Sequence, residues 1–155
     1  MKLSVLPLIL AAGLLPAAAQ AADAHIARQL DSLGYDYEID DDGDYKMVFN
    51  LAEGRTQLAF VRSPVEEYGS LRVREIWSPG FRIEGNAFPT AVANRLLSDS
   101  NDAKIGSWVR QGNTAMYVVK IDASANAQQL ADAISAAISS ADKLEQELTL
   151  GKDEF

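Results

Sequence analysis

The 155-residue chain has no cysteine and one histidine, His25. The first absence excludes disulfides, a thiolate nucleophile and lipid attachment through an N-terminal cysteine. Together they leave too few nitrogen and sulfur donors for a zinc site. No Gly-x-Ser-x-Gly elbow accompanies His25, so a serine triad has little material. Positive charge is also scarce, with 14 Lys and Arg against 22 Asp and Glu and a net charge of −8. A chain this acidic would be repelled by phosphate backbones, which excludes nucleic acid as a partner. Long hydrophobic runs are missing too, apart from one at the start.

That run, Leu3–Leu15, follows the lone charge of Lys2 and precedes small residues around Ala19, Gln20 and Ala21, the order of a secretory signal peptide. It is shorter than the roughly 20 apolar residues a spanning helix needs. Cleavage after Ala21 is expected, with retention as an anchor the alternative. Removal takes only Lys2 among the charges and leaves a soluble, periplasmic or secreted protein of net charge −9 with no membrane span. The remainder is long enough to bury roughly two-thirds of its unfolded surface as one domain, expected over 22–150, with a frayed tail at 151–155.

Periodicity divides this domain. In "DAHIARQLDSLG", Ile26, Leu30 and Leu33 recur at helical spacing, with Asp23 to cap the start and Gly34 to stop it. The period then becomes two, through Tyr35, Tyr37 and Ile39, Tyr45, Met47 and Phe49, Leu58 and Phe60, and Leu71 and Val73. A second helix is expected from Pro89 to Leu97, ended by "SDSN". Strands around Lys104–Arg110 and Ala115–Ile121 flank Gly112-Asn113, a tight-hairpin signal. A long helix then starts at Ser124 or Asn126, with Leu130, Ile134, Ile138, Ala141 and Leu148 as its apolar stripe. Short turns imply antiparallel pairing. The expected class is α+β, an antiparallel sheet of about five strands with helices packed on one face, in the order α-β-β-β-α-β-β-α.

That order, with "LGYDYEIDDDGD", "GRTQLAFVR", "VANRLL" and "AKIGSWV", resembles the YbjN-like putative bacterial sensory transduction regulator family. The resemblance covers nearly the whole mature chain. It implies a fold like that of type III secretion chaperones and protein or peptide binding; a non-enzymatic protein without a cofactor is the expectation. Secretion chaperones act in the cytoplasm, whereas this chain carries an export signal.

Three candidate sites follow from the residues. "REIWSPGFRIEGNAFP" gathers aromatics and arginines around a Pro-Gly turn; Arg74, Trp77 and Phe81, with Arg82 at the rim, are the expected partner-binding residues. "EIDDDGDYKMVF" places acids at alternate positions before Gly43, so Asp40, Asp42 and Asp44 form a rival calcium site in the loop 38–44. An EF-hand would need a glutamate where Phe49 stands and helices where strands are expected, so a hairpin tip is the simpler reading. A carboxylate-dependent hydrolase is the third class, although adjacent Glu66 and Glu67 point to opposite faces of extended chain. The small residues of the last helix leave room for close pairing of two copies as a homodimer.

Overall fold

The computed structural model describes residues 22–155, so the leader expected at 1–21 lies outside the described residues. Helix α1 (Ala24–Leu33) begins where Asp23 accepts the His25 N–H and ends at a left-handed Gly34. Strands β1 (Glu38–Ile39), β2 (Tyr45–Asn50), β3 (Thr56–Val61), β4 (Glu66–Tyr68) and β5 (Leu71–Arg82) follow. Then come α2 (Thr90–Asp102), β6 (Ser107–Gln111), β7 (Thr114–Asp122) and α3 (Ala127–Leu148). Asn126 and Gln129 close a capping box at the start of α3, satisfying two amide donors that the first helical turn leaves free. Among the described residues no helix is long and apolar enough to cross a membrane.

The class is α+β, with seven strands in a single antiparallel sheet of order β1-β2-β3-β5-β7-β6, and β4 paired to the first part of β5. Five strands, not three, separate the first two helices. The extra elements are short and carry no buried face: β1 has two residues, and all three residues of β4, Glu66, Glu67 and Tyr68, are exposed. The alternation through Tyr35, Tyr37 and Ile39 thus ends in a two-residue strand, and exposed β4 leaves no alternation to read. Helix α2 also runs past the expected stop. Ser100 Oγ bonds back to the Leu96 carbonyl and accepts the Trp108 N–H, while Asp99 accepts the Trp108 indole N–H. Contacts with β6 thus hold a polar turn helical.

All three helices pack on one face of the sheet. Ile26 and Leu30 of α1 and Leu130, Ile134 and Ala137 of α3 meet Tyr45, Met47, Ala59, Val61, Ile76, Tyr117 and Val119 from alternate strand positions. Leu96 of α2 joins Ala115, Leu144, Phe81 and Trp108 in a second cluster on the same side. Gly80 permits the close approach there: an added Cβ would lie 2.5 Å from the Trp108 ring and 3.1 Å from the Ala141 carbonyl of α3.

Pro79-Gly80 is not the expected turn. It lies inside β5 as an irregularity, where the pairing with β7 shifts register between Pro79 and Phe81. Proline lacks the N–H a central ladder requires. Backbone pairing between β3 and β5 accordingly stops at Phe60↔Trp77. Side chains lace the gap: Ser78 Oγ donates to the Leu58 carbonyl (2.6 Å), and Gln57 Nε2 donates to the Pro79 carbonyl (2.6 Å) and to Ser78 Oγ (3.1 Å).

Residues 151–155 do not fray. Both Asp153 carboxylate oxygens accept the Thr56 N–H, the Glu154 N–H donates to Glu145 Oε1, and Phe155 is buried. The cause is Arg55. Its guanidinium bridges Asp142 (2.6 Å) and fully buried Glu145 (2.7 Å) and donates to the Gly151 and Lys152 carbonyls, so β3, α3 and the segment after it share one charged anchor.

Candidate functional site

The face opposite the helices is a continuous surface of alternate strand residues. Register pairs Lys46 with Phe60 and Val48 with Leu58, then Phe60 with Trp77, Trp77 with Val118, Pro79 with Met116, and Glu75 with Lys120. Because neighbours across a strand pair share a face, aromatic and aliphatic side chains line up over four strands. They form a groove of about 250 Å³ running from the acidic loop at Asp40, Asp42 and Asp44, past Phe60, Arg62 and Trp77, to Arg82 and Phe155.

Charges fix the aromatic centre of this groove. Arg62 Nε pairs with Asp44 Oδ2 at 2.7 Å, and the Arg62 guanidinium lies 5.3 Å from the centroid of the Trp77 ring, within cation–π range. On the other side the Trp77 indole N–H donates to Glu75 Oε2 (2.8 Å), and Glu75 pairs with Lys120 at 2.8 Å. Trp77 is therefore half-buried, oriented by both neighbours, and accessible across part of its ring. Burial works against the Glu75 charge, but Lys120, the Trp77 N–H and Arg62 outweigh it and hold the carboxyl below its ordinary value. Asp44 shows the opposite balance. Burial pushes its carboxyl up more than the Ser63 N–H and Arg62 pull it down, and the charges of Asp40 and Asp42 push in the same direction as burial.

Two of the four residues expected to bind a partner lie in the groove, Trp77 and Arg82. Arg74 does not. It shares strand parity with Ile76, so its side chain enters the helix side, where it is 4% exposed. There it donates to the Arg62 and Ser63 carbonyls and pairs with Asp23 at 2.5 Å. Since Asp23 also caps α1, this arginine fastens a helix to the sheet. Phe81 is the second correction. Simple alternation from Trp77 would place it on the open face, but the irregularity at Pro79-Gly80 reverses the parity and sends it into the cluster with Phe88, Val92 and Trp108.

The acidic loop is a turn between β1 and β2. Asp40 Oδ1 accepts the N–H groups of Asp42 and Asp44, Asp44 Oδ1 accepts the Ser63 N–H, and Asp44 Oδ2 takes Arg62. Both Asp44 oxygens and one of Asp40 are thus committed to the backbone and to a guanidinium. Among the described residues no three acids or histidines converge as a metal site. His25 is exposed on α1, away from the groove residues. Within the groove Asp44 is paired with Arg62, and Arg82 faces the Phe155 ring. Such a surface suits an apolar anchor with a polar rim, the make-up of a protein interface.

Sequence reasoning missed Phe60, Arg62, Met116 and Phe155. Phe60 and Arg62 follow Leu58 at period two, a signal that was available. Met116 needed the register between β5 and β7, and Phe155 needed the Arg55 anchor, which joins residues about 90 positions apart in the chain.

No curated protein matches the chain. The YbjN family model, described as "Putative bacterial sensory transduction regulator", matches residues 22–149. The match takes in every helix and strand of the described fold, including all residues of the groove except Phe155. On that span the chain belongs to the YbjN family.

Proposed function

We propose that this is a non-enzymatic binding module of the bacterial envelope that takes a protein or peptide partner on the open face of its sheet. The observation that carries the reading is the array of part-exposed Leu58, Phe60 and Trp77, beside buried Met116, on a face that no helix among the described residues covers, with Trp77 held between Arg62 and Glu75. A regulator family is the setting in which such a module would act. Export rests on the signal-peptide pattern of residues 1–21, and cell fractionation tests it. A rigid aromatic oriented in advance loses little conformational entropy when a partner arrives, which favours it as an anchor.

The test is to select binders to residues 22–155 from a displayed peptide library, then to titrate them against Trp77→Ala. A variant at exposed Arg28 on α1 serves as control. Loss of a hot-spot side chain of about 2 kcal/mol should weaken binding roughly 30-fold, with folding unchanged by circular dichroism. Binders that tolerate Trp77→Ala but not changes on the helix side would remove this reading.

A further inference from the structure

The groove already holds an aromatic side chain, supplied by the chain itself. Phe155 is 6% exposed and lines the end of the open face, with the Arg82 guanidinium 5.0 Å from its ring centroid. The segment that carries it is otherwise exposed, as Lys152, Asp153 and Glu154 show. It reaches the groove through a sharp reversal in which Leu150 and Gly151 both have positive φ, 57° and 83°. Leucine seldom adopts that conformation, and Leu150 gains no burial from it, being 95% exposed. The reversal is sustained by what lies beyond it. Asp153 takes the N–H and hydroxyl of Thr56, Arg55 takes the Gly151 and Lys152 carbonyls, and Glu145 takes the Glu154 N–H.

We infer that residues 151–155 are an internal ligand of the groove, and that the partner is an extended segment of the same chemistry, with an aromatic residue directly following acidic ones. This deepens the proposed docking function and rests on it. Arg82 is exposed and faces the aromatic ring, and among the described residues no ion pair engages it, so it serves an incoming aromatic as it serves Phe155. The N–H of Thr56, at the start of β3, offers the same donor to an incoming carboxylate. The resident segment competes with the partner. Being tethered a few residues from the groove, it acts at a high effective concentration, and only a partner with further contacts toward Trp77 displaces it.

The probe is the blocked peptide acetyl-Gly-Lys-Asp-Glu-Phe-amide, titrated by calorimetry into the complete 22–155 chain and into its Phe155→Ala variant, which vacates the pocket and leaves the anchor in place. Saturable binding to Phe155→Ala is expected, at least ten-fold tighter than to the unaltered chain. It should be lost when the peptide's Phe is replaced by Ala, and weakened several-fold by adding Arg82→Ala. No saturable binding to Phe155→Ala, or equal binding of the Phe and Ala peptides, overturns the inference. If Phe155→Ala does not fold, Phe155→Leu takes its place with an intermediate affinity expected, and absence of binding counts equally against the proposal. Sedimentation reports the other occupant, a second copy exchanging its segment: a dimer of the unaltered chain abolished by Phe155→Ala would overturn an intramolecular ligand. Library binders that depend on Trp77 while this peptide fails would leave the docking face standing and remove only the internal ligand.

Discussion

Ile76 and Trp77 are adjacent in one strand and meet opposite worlds. Ile76 is fully buried under the helices, packed among Tyr117, Val119 and the alanines of α3. Trp77 lies half-exposed on the bare face, steadied by Arg62 above and Glu75 beside it. On the helix side, charges appear as anchors: Arg74 joins α1 to β5, and Arg55 joins β3 to α3. On the open side they appear as a frame around aromatic surface. One face holds the fold together, and the other leaves Leu58, Phe60 and Trp77 partly open to solvent.

The largest break in this contrast should come from Arg55→Ala. Glu145 is 0% exposed, and burial already pushes its carboxyl above the ordinary value despite the Glu154 N–H and Arg55. Removing the guanidinium leaves a buried charge unpaired, a loss of about 3–5 kcal/mol. The sign with pH follows from the raised folded value. Glu145 penalises folding above that value and ceases to do so as pH falls below its unfolded value near 4.5. The deficit of Arg55→Ala should therefore be greatest at pH 7 and shrink on acidification, as urea titrations at several pH values will show. A deficit independent of pH would mean that Glu145 does not cause it.

Ile76→Ala should cost about 2–5 kcal/mol by opening a cavity beneath α3. Its neighbour Trp77→Ala should cost only about 1–2 kcal/mol, since the ring is partly exposed and loses chiefly its contact with Arg62. Thermal denaturation of the two variants measures the faces against each other. Equal losses would mean that the open face is as much a core as the covered one.

The smallest effect tests the frame. Glu75 has its folded value held below 4.5 by Lys120, the Trp77 N–H and Arg62 in spite of burial. A depressed carboxyl stabilises above its unfolded value and loses that contribution as pH falls through the folded one. Glu75→Gln should therefore be less stable than the unaltered chain at pH 7, by about 1 kcal/mol or less for a partly exposed pair. The two should converge as pH falls below 4.5 and through the depressed folded value, and Trp77 emission should change over the same range only in the unaltered chain.

Much of this architecture was legible from residues 22 onward. Helical spacing marked α1 and α3, alternation marked β2, β3 and the start of β5, the Gly112-Asn113 signal marked the β6–β7 hairpin, and the absence of cysteine and near-absence of histidine narrowed the chemistry. The site was legible in halves. Trp77 and Arg82, expected together at a partner-binding surface, both line the groove, and the acidic loop noticed for calcium borders that groove and holds Arg62. Arg74 and Phe81 were misplaced because composition around a Pro-Gly pair suggests a turn, whereas side-chain hydrogen bonds from Gln57 and Ser78 let the strand run through it.

The sequence by itself determined the local conformations, the α+β class and a surplus of aromatic residues in the strands, because period, capping residues and turn formers act within a few positions. Tertiary structure decided which face each side chain met. A single register shift after Pro79 reverses every later residue of β5, and the Arg55 anchor brings Phe155 onto a sheet remote from it in the chain. Both depend on pairings between distant segments, which a local pattern does not encode.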